Sequence, residues 1–196
     1  MYLAFIGDSF VNGTGDKACL GWTGRICADA CQQGYNITYY NLGVRGETSL
    51  DIKLRWYQEV SCRLPKTADS RVIFSFGAND TTKVEGKTRV DFEDSGRNLE
   101  SILKVAKQEF PVLMVGIPPI ADDLAQNQRI ARLSDKFAEV CSQLNIPYLD
   151  VFTPLQTSQV WLSEAIANDG AHPRNAGYTE LANLVKNWSA WLSWLR

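Results

Sequence analysis

The sequence contains a single histidine and five cysteines, which leaves few ligands for a metal. The cysteines show no C-x-x-C spacing, and five of them cannot all pair. A zinc cage is therefore not expected, and neither is a complete disulfide framework. We expect buried, reduced thiols and no bound metal.

The chain also lacks an excess of charge of either sign. Its 20 basic and 22 acidic residues give a formal charge of −2 with no basic stripe, which argues against nucleic acid as a partner. The apolar runs are shorter than the roughly 20 residues that a membrane-spanning helix needs, so no membrane insertion is expected. The N-terminus shows no positively charged leader and no small-residue cleavage site, which predicts a cytoplasmic protein. At 196 residues, the chain predicts one domain over residues 1–196.

Short apolar runs alternate with segments of helical spacing along the whole chain. The runs that are typical of strands cover residues 2–6, 37–42, 72–76, 112–117 and 147–151. The last helix is predicted to open at Pro173 and to carry one apolar face from Tyr178 to Leu195. Near-continuous apolar strands between helices indicate a parallel sheet that is covered on both faces. In such sheets the ligand crevice lies at the carboxyl ends of the strands.

Polar residues with catalytic chemistry follow several of these predicted strands. Ser9 follows the first strand, Gly43 the second and Asn79 the third, while Asp169 and His172 occupy the loop before the last helix. All five therefore map to one edge of the sheet, although they come from opposite ends of the chain. A random distribution would divide them between both edges.

Four short blocks carry these residues, and together they resemble a known family. The blocks are GDSF at 7–10, NLG at 41–43, GAND at 77–80 and DGAHP at 169–173. In this order they resemble the signature blocks of the SGNH hydrolases, the GDSL-like esterases and lipases. Phe10 replaces the Leu of the GDSL name, a position where variation leaves the serine unchanged. The resemblance implies a flavodoxin-like, three-layer α/β/α sandwich with five parallel strands in the order 2-1-3-4-5. It also implies ester hydrolysis through a serine acyl-enzyme without a cofactor.

Elementary chemistry gives each of these residues a role. Ser9 is the candidate nucleophile, and a hydroxyl needs an adjacent base to remove its proton. His172 is the candidate base and later the acid, and Asp169 would hold its tautomer. The oxyanion would be stabilised by the backbone N–H groups of Ser9 and Gly43 and by the Asn79 amide. Gly43 suits this role because the absence of a Cβ lets a substrate approach its backbone.

Each residue also has a simpler interpretation when it is taken alone. Ser9 could cap a helix, Asn79 could cap a turn, and His172 could be a structural histidine. Asp8 is expected to order its loop by bonding neighbouring backbone N–H groups. Cys19 is an alternative thiol nucleophile, but we expect it to start the first helix as a core residue. The joint occurrence of the blocks favours catalysis.

A binding module on the same architecture is an alternative of a different class. Residues 9–15 form a Gly- and hydroxyl-rich loop after the first strand, where flavodoxin-like folds hold a flavin phosphate. A phosphate cradle has no need of the distant Asp169 and His172, which favours the esterase. A catalytically inactive scaffold is disfavoured because every catalytic position is intact.

For the C-terminal tryptophans, core packing is preferred over a dimer contact through Trp191 or Trp194. The oligomeric state stays open.

The blocks leave the substrate undefined, because fatty esters, acetylated sugars and thioesters all suit such a site. We expect a small, soluble ester with a short acyl group, since no long apolar lid is present. Arg45 is expected either to reach the pocket mouth or to pair with a surface carboxylate. The predicted walls of the acyl pocket are bulky residues after the fourth strand and before Asp169, namely Pro118, Pro119, Ile120, Trp161 and Leu162.

Overall fold

The computed structural model describes residues 1–196. Its strands are β1 (Tyr2–Gly7), β2 (Thr38–Gly43), β3 (Ser70–Ser75), β4 (Lys83–Val84), β5 (Lys87–Thr88), β6 (Val112–Val115) and β7 (Tyr148–Leu149). Its helices are α1 (Ser9–Asn12), α2 (Gly21–Gln32), α3 (Ser49–Arg63), α4 (Phe92–Glu109), α5 (Leu124–Gln143), α6 (Phe152–Leu155), α7 (Gln159–Ile166), α8 (Asn175–Lys186) and α9 (Ser189–Trp194). A 3-10 turn covers Asn79–Thr81.

Five parallel strands form the main sheet, in the order β2-β1-β3-β6-β7. Counted within the sheet, this is the predicted order 2-1-3-4-5. Helices α2, α7, α8 and α9 contact one another in one layer, and α3, α4 and α5 do so in the other. The inner strand β1 has four consecutive buried apolar residues, as expected for a strand that is covered on both faces. The three-layer α/β/α fold is therefore confirmed.

The register of the neighbouring strands β2, β1 and β3 sets the position of the site. Gly7 at the end of β1 lies opposite Gly43 of β2 and Ser75 of β3. Because the strands are parallel, the loops that follow them leave the sheet at the same edge. The predicted ends of the strands differ from these bounds by a few residues, and the hairpin of β4 and β5 was not predicted.

Helix α8 begins at Asn175, so the prediction that Pro173 opens the last helix is wrong. The carboxylate of Glu164 on α7 accepts the backbone N–H groups of Arg174 (3.0 Å), Ala176 (3.2 Å) and Gly177 (2.7 Å). These donors would otherwise have no partner at the start of the helix. A side chain from another element therefore determines where α8 begins.

The predicted final helix is in fact two helices. Trp188 adopts an extended backbone (φ −77°, ψ 127°), so that α9 starts in a new direction. Trp191 is buried, which removes it from any dimer contact. The ring of Trp194 packs under the Arg71 guanidinium, 5.3 Å from its centroid.

The segment before α2 differs from the prediction that Cys19 starts a helix in the core. Cys19 is exposed, with a positive φ of 55°, and α2 begins only at Gly21. The Asp16 carboxylate accepts the backbone N–H groups of Ala18, Leu20 and Gly21, which closes a tight turn and leaves Cys19 outside. Burial was expected for all the thiols but holds only for Cys27 and Cys141, since Cys31 and Cys62 are exposed as well.

No helix is both long and apolar enough to cross a membrane.

Candidate active site

Ser9 lies at the turn between β1 and α1, where it is the first residue of the helix. Asp8 caps this helix, and its carboxylate accepts the Phe10 N–H at 3.0 Å. Asp8 therefore orders the loop, as expected from the sequence. Only 3% of the Ser9 surface is exposed, so its hydroxyl is held in a largely buried position.

A continuous line of hydrogen bonds joins Ser9, His172 and Asp169. Ser9 Oγ lies 2.7 Å from His172 Nε2, and His172 Nδ1 lies 2.8 Å from Asp169 Oδ2. A carboxylate only accepts hydrogen bonds, so Nδ1 carries the proton and Nε2 of the neutral ring accepts from the serine. Asp169 Oδ1 accepts the backbone N–H of His172 at 2.8 Å, which fixes the turn between the two residues.

The His172 ring is supported on one side by an aromatic stack. Its centroid lies 4.9 Å from that of Phe10, and the Phe10 ring stacks on Trp161 at 6.0 Å. The Trp161 indole N–H donates to the Pro119 carbonyl oxygen at 3.0 Å. Sequence reasoning treated Phe10 as a neutral replacement and missed this contact. Only the spatial pairing of two distant blocks reveals it.

The electrostatic environment leaves the imidazole neutral at pH 7. Burial lowers the pKa of His172 from its usual 6.5, the Asp169 carboxylate opposes this, and the Arg45 guanidinium lowers the pKa further. For Asp169, burial alone would raise the pKa. The hydrogen bonds from the backbone N–H and the imidazole of His172 outweigh this effect, so the net pKa of Asp169 lies below its usual range. The pair is therefore an ionised carboxylate beside a neutral base.

Two further carboxyl groups, those of Asp8 and Asp80, lie buried beneath the site. The net pKa of Asp8 is raised to about 7, because burial and, to a smaller extent, the nearby Asp80 carboxyl outweigh the opposing hydrogen bond from the Phe10 N–H. Burial also raises the pKa of Asp80, which accepts the Ser49 N–H at 2.7 Å. The two carboxyl groups lie close enough for their charges to interact, Asp8 in the loop before Ser9 and Asp80 beside Asn79.

Two of the three predicted oxyanion donors have N–H groups available. No backbone hydrogen bond uses the Ser9 N–H. The Asn79 side-chain amide donates to the Glu47 carbonyl oxygen at 2.9 Å, which orients the group and leaves its second N–H without an intramolecular acceptor. Asn79 opens the 3-10 turn that follows β3, at the same sheet edge as Ser9.

Gly43 differs from its predicted role in two respects. Its N–H donates to the Asn41 side-chain oxygen at 2.9 Å, so this donor is already engaged. A Cβ at Gly43 would lie 2.2 Å from the Asn12 nitrogen and 2.8 Å from the Asp8 carbonyl oxygen. Glycine is therefore required for the packing of β2 against α1, and the predicted reason, close approach of a substrate, is corrected.

The residues predicted to form the acyl wall are mostly inside the protein. Pro118, Pro119 and Ile120 are buried, and Leu162 is half-buried. Trp161 has no exposed surface, so its predicted contact with substrate is corrected. Its ring instead supports Phe10 from the core side.

An open groove of about 640 Å³ runs beside the triad. The side chain of Arg45 lines it and also contacts Asp169, with 3.3 Å between Nη2 and Oδ2. Both predicted roles of Arg45 therefore apply, because it reaches a groove and pairs with a carboxylate. The other polar residues that line the groove are Asn12, Thr14, Asp16, Tyr39 and Asn41, of which Asp16 has a buried side chain.

The loop after β1 does not form a phosphate cradle. The N–H of Asn12 donates to the Asp8 carbonyl oxygen, and the N–H groups of Gly13 and Thr14 donate to that of Ser9. A flavin phosphate would need these groups to be free. The flavin-binding alternative is therefore not supported.

Comparison with protein families agrees with this geometry. Residues 5–179 match the GDSL-like Lipase/Acylhydrolase family. The chain belongs to this family. It is accordingly a carboxylic ester hydrolase, and the four blocks at 7–10, 41–43, 77–80 and 169–173 all lie within the matched region.

Several solved structures share the fold of this chain. A lipase/acylhydrolase from Enterococcus faecalis is 24% identical, with a TM-score of 0.76 over 94% of this chain and 92% of its own. TesA is 23% identical, with a TM-score of 0.78 over the full length of both chains. Axe2, an acetylxylan esterase from Geobacillus stearothermophilus, is 20% identical, with a TM-score of 0.75 over 93% of this chain and 91% of its own. No protein with a curated description matches the chain.

Proposed function

We propose that this GDSL-family hydrolase cleaves carboxylic esters through an acyl-enzyme on Ser9. The observation that carries the proposal is the line of hydrogen bonds from Ser9 Oγ through the His172 ring to Asp169. Nε2 takes the hydroxyl proton as Oγ bonds to the ester carbon, and then returns it to the departing alkoxide. A water molecule repeats the two steps to release the acid. Asp169 stabilises the imidazolium in both halves.

The tetrahedral oxyanion would be stabilised by the Ser9 N–H and the free N–H of the Asn79 amide. Both groups lie at the edge of the sheet where the ester carbon would bind. The Gly43 N–H can contribute only by sharing its hydrogen with Asn41 Oδ1 or by leaving it. We therefore assign the larger part of the electrostatic stabilisation to Ser9 and Asn79.

A serine probe tests the nucleophile directly. Ser9→Ala should abolish ester hydrolysis and leave the fold intact, because the smaller side chain removes only the hydroxyl. A fluorophosphonate should label the wild-type protein at Ser9 and should not label the variant. Cys19→Ala is the matched control, since Cys19 is exposed beside the same groove and should be dispensable. Labelling at Cys19 or Ser49 would overturn the assignment.

The acyl side of the site supports a short-chain substrate. Pro118, Pro119 and Ile120 are buried, and Phe10 stacks on Trp161 in the interior, so this region is filled by protein side chains and offers no depth for a long acyl chain. Each methylene gains about 0.8 kcal/mol only while it remains buried. On p-nitrophenyl acetate, butyrate, octanoate and palmitate, kcat/KM should peak at a short chain and then fall. A maximum at palmitate would contradict the short-chain proposal and leave the Ser9 mechanism untouched.

A second candidate is an esterase that removes acetyl groups from carbohydrates. The specific observation is the polar groove beside the triad, whose hydroxyl, amide and phenol groups suit a polyhydroxylated alcohol. The fold of the acetylxylan esterase Axe2 is consistent with it. Thr14→Val, which removes one hydroxyl from the groove, should raise KM for acetylated xylo-oligosaccharides and leave hydrolysis of p-nitrophenyl acetate unchanged. Equal effects on both substrates would argue against a sugar in the groove.

A further inference from the structure

One carboxylate oxygen of Asp169 is contacted by two hydrogen-bond donors, an imidazole and a guanidinium. Asp169 Oδ2 accepts from His172 Nδ1 at 2.8 Å and lies 3.3 Å from Nη2 of Arg45. The Arg45 side chain is 66% exposed, so this contact lies at the mouth of the groove. The mechanism proposed above gives Arg45 no role, although Arg45 and His172 contact the same oxygen atom of Asp169.

Sharing this oxygen affects the base as well as the carboxylate. Protonation of His172 places a second positive charge next to Oδ2, where the guanidinium already is. The guanidinium repels the imidazolium that this protonation would form. It also partly offsets the attraction between the Asp169 carboxylate and that imidazolium. An arginine here therefore favours the neutral, proton-accepting form of His172.

Other charged groups around the triad are held by different partners. Glu164 accepts the amides at the start of α8, and the Arg174 guanidinium donates to the Ala167 carbonyl oxygen. The Tyr178 hydroxyl donates to the Thr14 carbonyl oxygen, and burial raises its pKa well above the usual value. The neighbouring carboxyl groups are Asp8, which caps the helix at Ser9, Asp16, which pairs with Arg25, and Asp122, which packs against Gly170. The charges that act on His172 itself are Asp169 and Arg45.

We propose that Arg45 is a positioning residue that shares Asp169 Oδ2 with His172. The catalytic base therefore stays unprotonated down to a lower pH than it would without the arginine. The inference rests on the proposed function, because it requires His172 to act as the base. It makes the loop after β2 part of the control of the triad, in addition to its place in the groove.

The test is the pH dependence of kcat/KM for p-nitrophenyl acetate, an uncharged substrate. Arg45→Met keeps most of the side-chain length and removes the charge. It should lower kcat/KM by roughly two- to fivefold on the acidic limb, the range of a weak, exposed ion pair. On the alkaline plateau the ratio to wild type should return to one or exceed it. Arg97→Met is the matched control, since Arg97 is 65% exposed and pairs only with Asp94 on α4.

Two further measurements separate a charge effect from a structural one. Arg45→Lys keeps the charge and should restore the acidic limb at least in part. Added salt screens exposed ion pairs, so it should shift the wild-type profile to higher pH while the Arg45→Met profile stays in place.

The possible failures are distinguishable. If wild-type kcat/KM does not rise with pH at all, the proposed base is wrong. If it rises normally but Arg45→Met has the same profile, or loses activity equally at every pH, the role of Arg45 is refuted while the Ser9 mechanism stands.

Discussion

His172 is the only histidine in the chain, and its two ring nitrogens have separate partners. Nε2 faces Ser9 and Nδ1 faces Asp169, so one ring can connect the nucleophile with the charge that orients it. The ring is contacted by Phe10 from helix α1 and by Asp169 from the loop before α8. At the scale of single residues, the site is therefore defined by what contacts the imidazole.

The acidic limb of the pH profile should report the His172 ionisation. Because burial lowers the pKa of His172 below its usual 6.5, kcat/KM should rise with pH and reach half its plateau below that value. Asp169→Asn should depress kcat by up to roughly 10⁴-fold, because an amide favours the wrong tautomer. Steady-state kinetics between pH 4.5 and 9 would measure both effects. A profile that is flat across this range would contradict the neutral-imidazole base.

The Asn79 amide gives a second prediction at this scale. Asn79→Ala should lower kcat by roughly 10²–10³ and change KM much less, because the lost donor acts on charge that develops only in the tetrahedral state. Asn187→Ala is a suitable control, since the Asn187 amide donates only to the Asn183 carbonyl oxygen on α8. A large increase in KM with an unchanged kcat would instead make Asn79 a substrate-binding residue.

Sequence reasoning could anticipate which residues come together but not how they touch. Strand ends at a common edge bring Ser9, Asn79 and His172 into one region, whichever way their side chains point. The Phe10–His172 stack and the Arg45–Asp169 pair depend on rotamers and loop paths that link distant blocks. The engagement of the Gly43 N–H depends on a rotamer of Asn41, which no pattern encodes.

At the scale of elements, predictions were best where a segment is defined by its own residues. The buried strands were found because apolar residues run without interruption over residues 2–6 in β1 and 72–74 in β3. The hairpin of β4 and β5 was missed, since its short strands are largely exposed and show no alternation. The start of α8 was misplaced because its capping group comes from α7. Local sequence contains no information on such a cap.

Glu164 offers a test of this remote cap. Glu164→Gln should destabilise the protein by about 1–2 kcal/mol, because it removes a charge that accepts three N–H groups at the start of a helix. Chemical denaturation would measure the change in the free energy of unfolding. Glu139→Gln changes a more exposed glutamate whose salt-bridge partner is Lys136, and it should be nearly neutral. Equal effects of the two substitutions would mean that the cap contributes no stability.

At the scale of the whole molecule, we propose that residues 1–196 form one folding domain. The buried side chains of both helical layers and the sheet belong to one hydrophobic core. Far-ultraviolet circular dichroism and tryptophan fluorescence should therefore follow a single, coincident unfolding transition, with a free energy of about 5–15 kcal/mol. Two separated transitions would show that the chain divides into independent units.

The separation of Ser9 from His172 along the chain has a consequence for biosynthesis. The two residues are 163 positions apart, so at about 5–20 residues per second the ribosome adds the histidine roughly 8 to 33 s after the serine. During this interval the nascent polypeptide carries the proposed nucleophile without the proposed base. A fragment whose synthesis stops before residue 172 lacks the proposed base, so hydrolysis by the proposed mechanism can begin only after His172 has been added.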